Sequence, residues 1–336
     1  METNSTTQSQ GMLKCNHCPE CLGFGCIGEL PGLGGVFQNK NFQLNCQAWK
    51  DLQNLANQNN TISQIKNIQV LPSMVRCGPV TGAQENIGYN NEEDFYFPYL
   101  NNAAKNNIGI CVGDGYPDHK LHYGVNAMKK IATQFPQKKA AFFLKPYPQE
   151  KLFQRIDLVL PHAEYIGIDI DSYNIVTMRN LVNLEQKTAE QLLQIKNKIN
   201  VPFVIKGVFT QKDLELVQKV QPDVVYISNH GGRVETEIGS SADFLVKNAQ
   251  LLKNYCKEIW IDGGIRSKLD IQTAIFYGAS QVIMARPFIH ATLNNTEYSS
   301  LFKKCNFCGK LKKTMINFKI TFGGNFEKTK KNNRYF

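Results

Sequence analysis

The sequence predicts a (β/α)₈ TIM barrel, in which eight parallel strands form a closed cylinder surrounded by helices. From about residue 68 onward, short apolar segments alternate with segments of helical spacing. Continuous apolar strands alternating with helices are typical of a parallel sheet covered on both faces. Eight such units match the barrel, whose usual size is about 250 residues. An open, doubly wound sheet is the alternative.

The predicted strands, in chain order, are Met74–Cys77, Ile108–Val112, Ala140–Leu144, Tyr165–Ile170, Phe203–Lys206, Val224–Ser228, Glu258–Asp262 and Gln281–Ala285. Helical spacing is clearest over Thr188–Lys198, Lys212–Val220, Phe244–Tyr255 and Leu269–Tyr277. These elements divide the chain into an N-terminal cysteine-rich extension (1–66), the barrel (67–298) and a basic C-terminal tail (299–336). Only Leu311–Phe318 keeps a helical pattern in the tail, so the last barrel helix is expected to be degenerate.

Composition limits the kinds of partner that the chain can have. The net charge of +10 resides mostly in residues 301–336, which contain nine lysines, one arginine and one acid, and the other 300 residues sum to +1. The predicted barrel therefore lacks the basic surface that nucleic-acid binding requires. No apolar run approaches the ~18 residues of a membrane span, and the first ten residues are polar. We expect a soluble, cytoplasmic protein.

The octet Tyr-Ile-Ser-Asn-His-Gly-Gly-Arg at residues 226–233 is the most informative motif. It leaves a predicted strand at its carboxyl end, where catalytic groups collect in barrels. His230 can take a proton near neutral pH, and Arg233 can bind a carboxylate through two parallel hydrogen bonds. The pair predicts chemistry on a small acid. A buried histidine beside a surface arginine is the purely structural alternative.

Two further strand ends predict an anion site. The seventh and eighth strands end in Asp262-Gly263-Gly264-Ile265-Arg266 and Ala285-Arg286-Pro287. Barrels often bind phosphate in these two loops, where glycines leave backbone N–H groups accessible and arginines add charge. Lys206 leaves the fifth strand, and a buried lysine needs an anionic partner. No Gly-x-Gly-x-x-Gly motif follows an early strand, so a Rossmann site is not indicated.

The extension carries four closely spaced cysteines, Cys15, Cys18, Cys21 and Cys26. Four thiolates at such spacing can bind zinc or an iron–sulfur cluster, and a cluster would favour electron transfer to a partner. The alternative is four reduced cysteines in a segment folded over the barrel mouth. A disulfide framework is not expected in a chain of this size without a signal peptide.

The segment from Val201 to Phe288 resembles the FMN-dependent α-hydroxy-acid dehydrogenase/oxidase family, which includes glycolate and lactate oxidases. The resemblance is carried by Ile205-Lys206-Gly207, Ser228–Arg233, Asp262–Arg266 and Ala285-Arg286-Pro287, in that order. With its N-terminal cysteines, the chain looks like a divergent bacterial-type branch. The resemblance implies that FMN is the cofactor and that a small 2-hydroxy acid is oxidised to the 2-oxo acid.

The same resemblance implies roles for individual residues. His230 would be the base, Arg233 would hold the substrate carboxylate, and Lys206 would stabilise the reduced flavin. The implied cofactor-binding residues are Pro79, Val80, Thr81, Lys145, Asp169, Lys206, Ser228, Asp262, Gly263, Gly264, Arg266, Ala285 and Arg286. Oxygen or an electron carrier would reoxidise the flavin, and family members are often homo-oligomers.

Departures from the family pattern leave two alternatives open. Lys145 stands where the family usually has glutamine, Asp169 stands where it has threonine, and Arg179 is a weak match to a second substrate arginine. A lysine and an aspartate on neighbouring strands can pair as ions. The alternatives are an FMN barrel with other chemistry, like the flavin-dependent isopentenyl diphosphate isomerases, and a non-catalytic flavin- or metal-binding protein.

Overall fold

The computed structural model describes residues 40–83, 87, 89, 91–174, 182–234 and 236–299. Within them, eight parallel strands are β1 (Val75–Cys77), β2 (Ile110–Gly113), β3 (Ala140–Leu144), β4 (Ala163–Asp169), β5 (Phe203–Val208), β6 (Val224–Ile227), β7 (Glu258–Ile261) and β8 (Gln281–Met284). Each overlaps a predicted strand, because an apolar run buried on both faces marks a strand of a covered parallel sheet.

The helices lie between and around these strands. They are α1 (Lys40–Gln58), α2 (Ile62–Asn67), α3 (Glu93–Lys105), α4 (His119–Gln134), α5 (Gln149–Val159), α6 (Ala189–Lys198), α7 (Gln211–Val220), α8 (Ser241–Leu252), α9 (Lys268–Phe276) and α10 (Arg286–Leu293). Three of them begin at a capping box in which Thr188, Thr210 or Ser267 accepts a hydrogen bond from the third helical residue.

The strands form a nearly closed ring, which confirms the predicted barrel and excludes the open sheet. Pairing runs β1-β8-β7-β6-β5-β4-β3-β2, so each strand neighbours the next in sequence. A parallel bridge between Arg76 and Gly109 joins the two ends. There the Gly109 N–H donates to the Val75 carbonyl at 2.9 Å, and the Cys77 N–H donates to the Gly109 carbonyl at 2.9 Å.

Aromatic side chains fill the inside of the barrel below the carboxyl rim. Phe143, Tyr226 and Trp260 are buried together, and the Phe143 and Tyr226 ring centres lie 5.3 Å apart. The Arg76 guanidinium lies 4.7 Å from the Trp260 ring centre and pairs with Glu164. The interior is therefore a packed core and not a pore, and in such barrels ligand sites lie at the carboxyl rim.

Helix α1 lies within the predicted extension but packs against the barrel, next to α8, α9 and the turn after β6. The four cysteines of 15–26, Arg179 and the tail beyond residue 299 lie outside the described residues. Of the helices in the described part of the chain, none combines the length and the apolar character needed to cross a bilayer.

Candidate active site at the carboxyl rim

The predicted site residues lie at or just beyond the carboxyl ends of the strands, on one rim of the barrel. Lys145 follows β3, Asp169 ends β4 and Lys206 lies in β5. Residues 79–81 follow β1, 228–233 follow β6, 262–266 follow β7, and 285–286 follow β8. Parallel strands point the same way, so motifs spread over more than 200 residues meet at one end of the barrel.

His230 begins a tight turn, His230–Gly232, immediately beyond β6. Its side chain is 19% exposed, whereas the two aspartates facing it are 7% exposed. The imidazole Nδ1 lies 3.0 Å from Asp171 Oδ1 and 3.4 Å from Lys206 Nζ. The shorter contact fits the tautomer in which Nδ1–H donates to the carboxylate, and that tautomer leaves the Nε2 lone pair to accept a proton.

Asp169 is held between two buried lysines from the neighbouring strands. Its Oδ1 accepts a hydrogen bond from Lys206 Nζ at 2.7 Å, and its Oδ2 accepts one from Lys145 Nζ at 3.4 Å. The lysine and aspartate side chains are at most 7% exposed. Three adjacent strands thus present two ammonium groups that share one carboxylate.

Burial and these neighbours set the protonation states of the cluster. Burial, followed by the Lys206 ammonium, lowers the pKa of His230 well below its ordinary value, so the imidazole is neutral at pH 7. Burial opposes the charge of Asp169, but the Lys206 ammonium and the other neighbours of the cluster together outweigh it, so the pKa of Asp169 is lowered. Burial, and then the Asp169 carboxylate, raise the pKa of Asp171.

Asp171 was missed in the sequence, although it holds the imidazole. Gly207 explains how Asp171 fits, because a Cβ at Gly207 would lie 2.6 Å from the Asp171 Cγ. The register of β5 on β6 shifts between Lys206 and Val208, and Gly207 has φ +96°. Only glycine adopts this conformation readily. The signal available in the sequence was the second acid two residues beyond Asp169, on the same side of the extended chain.

Asp262 presents a buried acceptor with an unused oxygen at the end of β7. Its Oδ2 accepts hydrogen bonds from the Tyr226 hydroxyl at 2.8 Å and the Ser228 hydroxyl at 3.1 Å. Its Oδ1 is buried and has no hydrogen-bond partner within the described residues. A buried carboxylate oxygen without a donor is costly, so this atom is suited to a ligand that carries a hydroxyl group.

The two glycines after β7 are needed for packing against α1 as well as for the predicted anion site. Gly263 and Gly264 have φ of +99° and +72°, and a Cβ at Gly264 would overlap the Asn45 carbonyl of α1. The Trp49 indole N–H also donates to the Gly263 carbonyl at 2.8 Å. Close packing of α1 therefore requires glycine here whether or not an anion binds. The Arg286 guanidinium lies 4.3 Å from the ring centre of Phe42, also on α1.

The loop after β1 packs tightly against Gly113, the last residue of β2. A Cβ at Gly113 would lie 2.5 Å from the Pro79 carbonyl oxygen and 3.0 Å from Thr81 Cγ2. The Gly82 N–H donates to Glu92 Oε1 at 2.6 Å, and the other oxygen of Glu92 pairs with Lys120 at 3.0 Å. This buried ion pair fixes the loop that carries Pro79, Val80 and Thr81.

The cluster also has the spacing of a cation site. Three residues, Asp169, Asp171 and His230, each offer one ligand atom, and these atoms lie within 4.8 Å of one another. The Lys206 and Lys145 ammonium groups already bind both oxygens of Asp169, however. A cation placed there would face two positive charges, so the geometry favours an organic ligand over a metal ion.

Comparisons with known proteins match part of the chain to a described family. Residues 136–297 match the model of the family described as FMN-dependent dehydrogenase. 2-Hydroxyacid oxidase 2 of Rattus norvegicus is 34% identical over 146 residues, which are 44% of this chain and 35% of the relative. L-lactate dehydrogenase (cytochrome) of Saccharomyces cerevisiae is 31% identical over 108 residues, 31% of this chain and 18% of the relative.

A solved structure of a mandelate oxidase variant with benzoyl-formic acid has the same fold. It aligns with a TM-score of 0.50 at 20% identity and covers 68% of each chain. The aligned parts span 28%, 35% and 25% of the lengths of three mammalian 2-hydroxyacid oxidase 2 proteins. The chain therefore matches about a third or less of each of these relatives.

Proposed function

We propose that the chain binds FMN and oxidises a small 2-hydroxy acid to the 2-oxo acid, because residues 136–297 match the model of the FMN-dependent dehydrogenase family. The observation that carries this proposal is the neutral His230 held by Asp171 at 3.0 Å, between Lys206 and the Arg233 turn. This arrangement supplies a base beside a carboxylate clamp, the two groups that a hydroxy acid requires.

The rim has the donors and acceptors that FMN would need. The unused Oδ1 of Asp262 would accept a hydrogen bond from a ribityl hydroxyl, and the buried lysines would face the polar edge of the flavin ring. Arg266 and Arg286 would bind the phosphate beside Gly263 and Gly264. The remaining residues proposed to contact the cofactor are Pro79, Val80, Thr81, Lys145, Asp169, Ser228 and Ala285.

When bound, FMN supplies the acceptor for the two electrons that leave the substrate. Nε2 of His230 takes the proton released as the α-carbon becomes a carbonyl carbon. By accepting a hydrogen bond from Nδ1, Asp171 would keep Nε2 directed at the substrate. Arg233 follows His230 by three residues, so it can bind the substrate carboxylate beside the base.

Burial opposes the charge of Lys206, but Asp169 and the other nearby acids together raise its pKa and keep it an ammonium group. Lys206 would therefore stabilise negative charge that develops on the reduced cofactor. Lys145 adds a second ammonium on the other oxygen of Asp169. Asp169 therefore fixes both lysines in place. As a pair, Lys145 and Asp169 carry no net charge, so the excess positive charge at this edge of the rim comes from Lys206.

The proposal is tested by visible spectroscopy of the purified full-length protein under anaerobic conditions. We expect flavin absorption bands that bleach when L-lactate or glycolate is added. In His230→Ala the bands should remain, and the rate constant for reduction should fall by about 10²–10⁴-fold, the usual contribution of a positioned base.

Arg233→Met is the companion variant. We expect it to raise the substrate concentration needed for half-maximal reduction, while flavin content stays unchanged. A flavin-containing protein whose bands persist with both acids would contradict this substrate class, and a colourless protein would contradict FMN binding itself.

Other features stay predictions. The electron acceptor is oxygen or a carrier, and a homo-oligomer in the cytoplasm is expected. The four cysteines Cys15, Cys18, Cys21 and Cys26 are predicted to bind zinc or an iron–sulfur cluster, which metal analysis of the same preparation would detect.

A further inference from the structure

The turn that carries His230 adopts a conformation that needs external support. His230, Gly231 and Gly232 have φ of +58°, +65° and +91°, so three consecutive residues are in the left-handed region. For a residue with a side chain, this conformation is disfavoured relative to the right-handed one. The Gly232 N–H closes the turn on Asn229, because it donates both to the side-chain Oδ1 at 3.0 Å and to the backbone carbonyl at 3.0 Å.

A residue of α1, far away in sequence, fixes the orientation of Asn229. Asn45 Nδ2 donates to Asn229 Oδ1 at 2.7 Å, and Asn229 Nδ2 donates back to Asn45 Oδ1 at 3.1 Å. Both asparagines are fully buried. The two side chains therefore form a reciprocal amide pair that links α1 to the residue before His230.

Neighbouring backbone groups leave this pair only one favourable orientation. Asn45 Oδ1 also accepts from the Ser241 N–H at 2.9 Å, and this N–H can only donate. Asn229 Nδ2 also donates to the Gly239 carbonyl at 3.3 Å, and this oxygen can only accept. Flipping either amide would set like groups against each other, so Asn229 must present its oxygen to Gly232.

Close packing keeps α1 on the turn. A Cβ at Gly232 would lie 2.5 Å from the Phe42 nitrogen of α1. Asn41, one turn before Asn45, holds the following loop through the Val234 carbonyl at 3.1 Å and the Glu237 carbonyl at 2.8 Å. Two asparagines of α1 therefore make different contacts, Asn45 with the residue before His230 and Asn41 with the loop that follows the turn.

We infer that Asn45 is a positioning residue for the reaction, which holds the base His230 in its left-handed turn by orienting the side chain of Asn229. The expected effect on kcat rests on the proposed function. The contact between α1 and the turn of His230 does not, because it is present in the protein without cofactor or substrate. It assigns a role in the site to a helix outside the matched segment 136–297.

The test is Asn45→Asp in the full-length FMN-loaded protein, with Asn41→Ala as the matched control. The introduced carboxyl group keeps acceptors for Ser241 and for Asn229 Nδ2, but when ionised it cannot donate to Asn229 Oδ1. We expect kcat for the hydroxy acid to fall about tenfold or more, the factor that one net hydrogen bond is worth. KM should change little, and Asn41→Ala should keep kcat near the wild-type value.

The pH profile distinguishes positioning from general damage. A buried carboxyl group has a raised pKa, and its protonated form can donate to Asn229 Oδ1 again. We therefore expect kcat of Asn45→Asp to recover relative to wild type as the pH falls. A merely destabilised protein would lose activity on acidification, and equal effects of Asn45→Asp and Asn41→Ala at every pH would overturn the inference.

Hydrogen exchange of residues 229–232 separates failure of the inference from failure of the proposed function. We expect the Gly232 amide to exchange about threefold faster in Asn45→Asp than in wild type or Asn41→Ala, with or without substrate, because its bond to the Asn229 carbonyl remains. Unchanged exchange would overturn the coupling even if the enzyme oxidises hydroxy acids. Faster exchange in a protein that oxidises none would contradict the function and leave the coupling in place.

Discussion

Replacing the two partners of the Lys145–Asp169 ion pair, singly and together, tests the charge arrangement at the rim without any assumption about catalysis. Their atoms are 3.4 Å apart, both side chains are at most 7% exposed, and Asp169 also binds Lys206 at 2.7 Å. At an effective dielectric constant of about 20, two unit charges at this distance attract by roughly 5 kcal/mol. Desolvation cancels part of this attraction.

We therefore expect Lys145→Met to lower the free energy of unfolding by about 2 kcal/mol, because Lys206 still pairs with Asp169. Asp169→Asn should cost more, about 3–5 kcal/mol, because it leaves two buried ammonium groups without this carboxylate. The double variant should cost less than the sum, with a coupling free energy of about 1–3 kcal/mol.

Urea unfolding of the flavin-free full-length protein at pH 7 measures all four free energies. The pair Lys257–Asp223, whose lysine is exposed and whose atoms are 2.8 Å apart, is the control, and its cycle should show a coupling below about 1 kcal/mol. Additive effects of Lys145→Met and Asp169→Asn would refute the ion pair. The burial of Lys145 and of Lys206 would then need separate explanations.

Two further predictions concern His230. Asp171→Ala removes the acceptor 3.0 Å from Nδ1, so we expect kcat to fall by about 10²-fold or more with a smaller change in KM; an unchanged kcat in steady-state assays would contradict the proposed role of Asp171. Burial lowers the folded pKa of His230 below its ordinary value of about 6.5. Since the unfolded chain then binds more protons, the contribution of His230 to stability is complete above pH ~6.5 and is lost as the pH falls. Between pH 7.5 and 5.5, the urea midpoint of wild type should consequently fall more than that of His230→Gln, and parallel shifts in the two proteins would argue against a buried neutral imidazole.

The sequence predicted the strand order and the side of the barrel that carries the site. Apolar runs such as Ala140–Leu144 are local signals, because a strand covered on both faces must be apolar along its length. The carboxyl end of such a strand is also a local property, so Lys145, Lys206 and the 226–233 motif could be placed on one rim before their distances were known.

The contacts between these residues could not be predicted in the same way. Lys145 and Asp169 were expected to pair as neighbours, but Asp171 was not recognised as the partner of His230, 59 positions away. Its contact depends on the irregular pairing at Gly207, which turns the strand and makes room for the carboxylate. Glycine is also required at 263 and 264 because α1 packs against them, and the sequence motif did not show this contact.

By itself, the sequence determined the barrel, the rim and the types of group gathered there, since periodicity and strand-end chemistry depend on residues close together in the chain. Only the tertiary structure decided how those groups are held. Asn45 and Asn229 are 184 positions apart and form reciprocal hydrogen bonds in a buried layer where α1 lies on the turn. Hydrogen bonds depend on distance and direction to within tenths of an ångström, and such precision arises only when the whole chain is packed.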